Sequence, residues 1–402
     1  MNDRLIKGRD IIVVGQQPWD TEIGSNCKNI ALEFSINNRV LYINSPLDTK
    51  TLMTNKDDPK IKKRLAVIQQ KQDGLEKISD NLWTYYPEVK IASINWMKPT
   101  SVFSFFNRIN NKKFAASIKK AIKQLNFKNY ILFNDSEMFK AFYLKEFLQP
   151  DVSIYYSRDY MLGVDYWRKH GVTLEPELMA KSDLCLANST YLADVCKQYN
   201  PRSYYVGQGC DLSLFNSVDG FVIPEDIRMI KNPIIGYVGA LQSSRLDMGI
   251  IEYIATKRPN WSIVLVGPED DEFKASKLHG IPNIHFLGSK DGSMLPAYIN
   301  IFNICINPQL VNPITIGNYP RKIDEYLAMS KPVVATATRA MEIFDEHTYL
   351  GKDKEAYVTL IQKALDEDDT ARQQKRKDFA GSHTWENNVA EIYKAINILK
   401  KY

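Results

Sequence analysis

The chain has 402 residues, 44% of them apolar and 25% charged, with a net charge of +5. That is the composition of a soluble globular protein, and the length suits two domains rather than a single core. Five scattered cysteines with no CxxC pair, and five histidines with no HExxH, suit a reducing compartment and speak against structural zinc or a metallohydrolase.

The opening "MNDRLIKGRDIIVVG" shows no apolar segment ending in a small-residue cleavage site. No apolar run approaches the roughly 18 residues of a membrane span, so a cytoplasmic location is expected. From there short apolar runs alternate with helical patterns, as in parallel sheets built from βαβ units. Strands are predicted at "DIIVVG", "RVLYIN", "NLWTYYP", "NYILFN", "VSIYYS", "LCLAN" and "SYYVG", with helices such as "CKNIALEFSI" and "FAASIKKAIKQL" between them. The stretch 207–233, punctuated by glycine and proline and lacking periodicity, separates two domains. Beyond it strands are predicted at "PIIGYVG", "WSIVLVG", "NIHFLG", "NICINP" and "KPVVAT", and helices at "DMGIIEYIATK", "MLPAYI" and "RKIDEYLAM". The last helix carries Trp385, Val389, Ile392, Tyr393, Ile396 and Leu399 at helical spacing, one stripe to be buried. The expected division is 1–207, 208–382 and a final helix, 383–402, packing back on the first domain.

In doubly wound sheets ligands bind beyond the carboxyl ends of the strands. The segment "NYPRKIDEYLAMSKPVVAT" fits that place. Pro320 suits a first helical turn, and the helix end offers free N–H groups and partial positive charge to an anion, to which Lys322 adds a full charge. Glu325 lies one turn further on the same face, where a carboxylate accepts hydrogen bonds from ribose hydroxyls. Diphosphate on the lysine and ribose on the glutamate describe a nucleoside diphosphate. A plain surface Lys–Glu pair is the competing reading. Against it stand three strand ends with glycine, "YVGAL" with Gly236 and Gly239, "LVGPED" and "HFLGSKDG".

The order "GYVGAL…IVLVGP…NIHFLG…LPAYIN…ICINP…PRKIDEYLAMSKPVVAT" resembles the donor-binding domain of GT-B glycosyltransferases, and "GCDLSLF" resembles that family's link between domains. The likeness is to bacterial capsule and teichuronic-acid type transferases, more distantly to xanthan glucuronosyltransferases, and is specific over most of 184–390. It implies an α/β fold of two Rossmann-like, doubly wound domains facing each other across a cleft, acceptor-binding first and donor-binding second, with the C-terminal helix crossing back. It also implies that Lys322 holds the diphosphate, Glu325 the ribose, that Gly239 approaches the phosphates and that Gly288, Ser289 and Lys290 lie near the nucleobase. Arg245 is a second phosphate cation or a solvated arginine. Retaining relatives carry a glutamate eight residues before the ribose glutamate. Gly317 stands there in this chain, which leaves the stereochemical outcome open.

In the first domain Gly24, in "VVGQQPWDTEIGSNCKNIA", resembles the family's first loop between donor and acceptor, or is a turn glycine. A transferase needs a base for the acceptor hydroxyl. Asp159, after the strand "VSIYYS", is the candidate, with an Arg158 partnership or a helix cap as the plain alternative and Asp165 as the next choice. Residues 107–134 hold Arg108, Lys112, Lys113, Lys119, Lys120, Lys123 and Lys128 and no acid, after Trp96, Phe103, Phe105 and Phe106. Cations beside exposed aromatics suit an anionic membrane surface, although a solvated charge run and core phenylalanines read the same way.

The expected protein is therefore a metal-independent, cofactor-free glycosyltransferase of bacterial surface polysaccharide synthesis. It would move a sugar from a nucleotide-diphosphate sugar to a glycan or lipid-linked acceptor, peripheral on the inner face of the cell membrane, with no nucleic-acid partner. The rivals are a nucleotide-sugar 2-epimerase of the same fold and a non-enzymatic two-domain sugar-binding protein. A Rossmann oxidoreductase lacks its GxGxxG here.

Overall fold

The computed structural model describes residues 5–21, 25–215 and 222–399. The chain divides into two compact units, Met1–Gly209 with Trp385–Tyr402, and Cys210–Thr384.

The first unit contains β1 (Asp10–Gly15), β2 (Arg39–Ile43), β3 (Leu47–Asp48), β4 (Leu75–Ser79), β5 (Leu82–Tyr85), β6 (Lys90–Ile91), β7 (Ile131–Asp135), β8 (Val152–Ser157), β9 (Leu184–Ala187) and β10 (Ser203–Tyr205). Eight of them form one sheet in the order β10-β9-β8-β7-β1-β2-β5-β4, while β3 and β6 pair separately. All its pairings are parallel except β4 on β5. The strand order turns at β1, which has β2 on one side and β7 on the other. The strands foreseen from apolar runs are present. The unforeseen β3 and β6 are two residues long, and the edge strand β4, "LEKIS", is polar and mostly exposed, so none of them leaves an apolar run.

Both faces of the central strands are buried, as a parallel sheet requires. Ile11 and Val13 pack with Ile30 and Phe34 of the Asn26–Asn37 helix, and Ile12 and Val14 with Phe114 and Ile118 on the other face. The Trp385–Leu399 helix joins the first of these layers through Val389, Ile392, Tyr393 and Ile396. Tyr393 stacks on Phe34 with ring centroids 5.6 Å apart, and its hydroxyl accepts a hydrogen bond from Asn38 Nδ2 at 2.8 Å. The helix foreseen at "FAASIKKAIKQL" is the second half of a longer one, Thr100–Gln124. Its first half buries Asn107, Asn110 and Asn111 beside Phe103, and amides in core positions hide the apolar period.

The second unit contains β11 (Ile234–Val238), β12 (Ser262–Val266), β13 (Ile284–Gly288), β14 (Ile304–Asn307), β15 (Val333–Thr336) and β16 (Tyr349–Gly351). They form a parallel sheet in the order β13-β12-β11-β14-β15-β16, and its order turns at β11. Each unit is thus a doubly wound, Rossmann-like sheet with its switch point beside its first strand. Among the described residues no helix is long and apolar enough to cross a membrane.

Candidate functional site

The switch point of the second unit lies beyond the carboxyl ends of β11 and β14, and the Arg321–Ala328 helix begins there. Pro320 is the residue just before this helix rather than part of its first turn, and no side chain caps the end. Two constraints hold the helix. On one side Tyr326, Ile323 and Leu327 are fully buried, and the Tyr326 hydroxyl accepts the Val238 N–H at 2.9 Å, which ties the helix to the last residue of β11. On the other, Asp324 is fully buried, accepting from the Tyr319 hydroxyl at 2.7 Å and the Cys210 thiol at 3.1 Å, with His383 Nδ1 at 2.6 Å. Burial and Asp324 push the Cys210 thiol well up, so it stays a neutral donor.

With Asp324 and Tyr326 turned inward, Lys322 and Glu325 face out. They make no ion pair with each other among the described residues, which sets aside the plain surface pair. The Lys322 ammonium instead hydrogen-bonds the Tyr237 hydroxyl and lies 4.2 Å from the centre of that ring. It also borders Gly239, where a built Cβ would stand 3.0 Å from Lys322 Nζ and φ is +139°. Glu325 is partly buried, and burial raises its carboxyl against the pull of Arg321 and Lys322. The turn after β12 closes on the same place, because Gly267, at φ +154°, passes so near Gly239 that a Cβ would stand 1.9 Å from the Gly239 carbonyl oxygen. Only glycine fits such an approach.

The other residues expected on the donor side are placed as follows. Arg245 is exposed in the turn between β11 and the Met248–Lys257 helix, and its carbonyl accepts from Leu310 N at 2.8 Å, which joins that turn to the loop after β14. Gly317 lies in this second loop. Gly288 ends β13, with Ser289 exposed beyond it. The Lys290 ammonium turns away to Asp226, 2.7 Å distant, which also accepts from the Tyr298 hydroxyl at 2.9 Å. Gly267 is the strand-end glycine foreseen in "LVGPED", whereas Tyr237, Tyr326 and the Asp324–His383 pair were not foreseen. The tyrosines read as ordinary strand and helix residues, and His383 lies 59 residues from Asp324.

In the first unit Gly24 lies outside the described residues, and Ser25 beside it caps the Asn26–Asn37 helix by accepting Lys28 N at 3.2 Å. Asp159 follows β8, about half exposed, and accepts from Arg158 Nη1 at 3.1 Å. Arg158 donates through Nε to both oxygens of Asp135, at 2.9 and 3.1 Å. Asp135 ends β7 with no exposure, and burial raises its carboxyl against the pull of Arg158. The Arg158–Asp159 contact is the foreseen partnership, but Asp135 at its other end was missed, since "NYILFND" reads as a strand running into a turn. Asp165 opens the Asp165–Lys181 helix, paired with Arg168.

Lys112, Lys113, Lys119, Lys120, Lys123 and Lys128 are exposed, with Lys120 paired to Glu88 at 2.6 Å. Trp96, Phe105 and Phe106 are exposed as well. Phe103 is not. It is 1% exposed, its ring 4.0 Å from that of His170, and is removed from the aromatic surface expected here.

These two sheets, with cation and carboxylate at the second one's switch point, have the GT-B fold of glycosyltransferases. Residues 232–367 match the family model of the glycosyl transferases group 1, which bears out the resemblance read from the sequence. TuaH of Bacillus subtilis (strain 168), named for glycosyltransfer in teichuronic acid biosynthesis, is 24% identical over 247 residues, 59% of this chain and 62% of its own length. Among solved structures, sucrose-phosphate synthase from Thermosynechococcus elongatus aligns over 98% of this chain and 99% of its own, with a TM-score of 0.63 at 14% identity. The α,α-trehalose 6-phosphate synthase of Burkholderia multivorans aligns over 98% of each chain, at 0.67 and 11%. Anabaena HepE, solved with UDP and glucose, aligns over 96% and 99%, at 0.58 and 13%.

Proposed function

We propose that this chain is a glycosyltransferase of bacterial surface polysaccharide synthesis, taking its sugar from a nucleoside-diphosphate sugar. The carrying observation is the Lys322 ammonium standing against Gly239 at the switch point, with Glu325 one turn along and unpaired to it. A diphosphate beside Gly239 would meet Lys322 and the uncapped helix end, and a ribose would meet Glu325. That positive charge replaces a metal ion, so catalysis is metal-independent. HepE, of the same fold, has been solved with UDP-glucose, which supports this donor class. The teichuronic-acid name of TuaH supports a surface glycan or lipid-linked acceptor.

Asp159 is the base, held by Arg158 in a direction that buried Asp135 sets. The exposed lysines of the Thr100–Gln124 helix, with Trp96, Phe105 and Phe106, rest on anionic lipid at the inner face of the membrane, each basic residue near it contributing about 1 kcal/mol. Incubation of the chain with nucleoside-diphosphate sugars, with and without bacterial membrane extract, tests the reading. Release of free nucleoside diphosphate only when extract is present is the expected result. Conversion of the sugar nucleotide without acceptor would indicate an epimerase.

A further inference from the structure

His383 is the next-to-last residue of the second unit, and Cys210 is its first. The Thr370–Gly381 helix leads into His383 and packs along the Arg321–Ala328 helix, where Arg376 donates to the Ser330 carbonyl at 2.8 and 3.0 Å. His383 is fixed from several sides. Its carbonyl accepts the Cys210 N–H at 2.8 Å, its own N–H donates to the Ala380 carbonyl at 3.0 Å, and its ring stands edge-on to Phe379 with centroids 4.6 Å apart. Nδ1 is thereby aimed at Asp324, 2.6 Å away, and at the Tyr319 hydroxyl, 3.1 Å away. Nε2 meets no hydrogen-bonding partner among the described residues, and the side chain is 17% exposed, which leaves a path for a proton from solvent.

Asp324 has no exposure and meets three groups, the Tyr319 hydroxyl and the Cys210 thiol on one oxygen and His383 Nδ1 on the other. The thiol is kept neutral and a tyrosine hydroxyl is neutral near pH 7, so only the imidazole brings a positive charge. With a neutral ring Nδ1–H still donates, and one negative charge stays uncompensated inside the helix that carries Lys322 and Glu325. With Nε2 protonated the pair is neutral. That charge reaches the neighbouring residues, since Asp324 is one of the groups that raise the Glu325 carboxyl. A diphosphate on Lys322 would meet the same repulsion. The other charged or titratable groups around the pair are Arg321, which acts on the Cys210 side, and His347 in the turn before β16. Burial holds His347 below the usual histidine range, so it stays neutral near pH 7.

We infer that His383 is a positioning residue with a proton-dependent charge: protonated, it cancels the Asp324 charge and strengthens nucleoside-diphosphate binding at Lys322 and Glu325. The inference rests on the donor reading above. Two like charges roughly 10 Å apart in a partly screened site repel enough to change affinity about three- to tenfold. By linkage, the bound nucleotide must raise the titration midpoint of His383 by the same factor.

Two measurements on the full chain test it. In the first, UDP, GDP, ADP and TDP are titrated calorimetrically at about pH 6 and about pH 8 into the wild type and into His383→Asn, which keeps a donor toward Asp324 but has no ring to protonate. A nucleotide's terminal phosphate titrates in the same range, so the difference between the two proteins is what counts. On going to the lower pH, the nucleotide that binds should gain about three- to tenfold more in the wild type than in the variant. In the second, the ring C–H signals of the five histidines are followed by NMR across pH, with and without that nucleotide. The His383 signal, identified as the one that His383→Asn or His383→Gln removes, should titrate at higher pH in the complex. Parallel affinity profiles in the two proteins, or an unmoved midpoint, overturn the inference and leave the donor reading standing. Failure of all four nucleotides to bind the wild type overturns both.

Discussion

Asp159 shows why a contact by itself does not assign a role. Its contact with Arg158 is the partnership foreseen as the plain alternative to a base, and it is present. A carboxylate can be positioned by an arginine and still receive a proton, so contact alone does not decide the role. Asp159→Asn keeps the shape and an acceptor oxygen but cannot take the proton. Turnover should fall about 10² to 10⁴-fold, the usual worth of general-base assistance, with donor affinity unchanged. A variant that melts lower but turns over normally would make Asp159 a structural partner and leave Asp165 as the next candidate. Lys322 and Glu325 were legible because their chemistry and spacing lie within one helical turn. Asp135 and Asp324 were not, since their partners are 23 and 59 residues away and only the fold joins them.

The element that decides the proposed donor site is the Arg321–Ala328 helix. Its placement depends on inward-facing residues that touch no substrate, Tyr326 above all. Tyr326→Phe keeps the buried ring and deletes one oxygen, leaving the Val238 N–H, buried at the end of β11, without its partner. An unpaired buried donor costs about 1–3 kcal/mol, so the melting temperature should drop. Nucleotide affinity should drop as well, because Val238 leads directly into Gly239. Calorimetric binding with full affinity despite lower stability would separate the clamp from the site. The central strands were legible from the sequence because buried parallel strands are short apolar runs, whereas the short or peripheral β3, β4, β6 and β16 were not. Nor was the front half of the Thr100–Gln124 helix, because its inward face alternates phenylalanine with asparagine.

Stability of the whole molecule should depend on pH through Glu175. This buried glutamate accepts the Tyr155 hydroxyl at 2.6 Å, and burial pushes its carboxyl from the usual 4.5 to about 7. The native state therefore holds a proton that the unfolded chain has lost. Its stabilising effect is complete below about pH 4.5 and disappears as pH rises through about 7, some 3 kcal/mol in all. Glu175→Gln keeps an acceptor for Tyr155 and should flatten that part of the profile, gaining on the wild type as pH rises to 8. Parallel profiles for the two proteins, by differential scanning calorimetry, would show that Glu175 is ionised in the fold. Binding to anionic vesicles should fall sharply in 1 M salt, where screening shortens to about 3 Å. Equal pelleting with neutral and anionic vesicles would remove the electrostatic contact. The central claim is that the second unit binds a nucleoside diphosphate through Lys322 and Glu325, and titration calorimetry with UDP, GDP, ADP and TDP tests it most directly. One of them should bind the wild type, and Lys322→Ala and Glu325→Ala should each weaken it about 10- to 100-fold, as lost charge-assisted hydrogen bonds do, without lowering the melting temperature. Binding of none of the four, or equal affinity in both variants, would contradict the account.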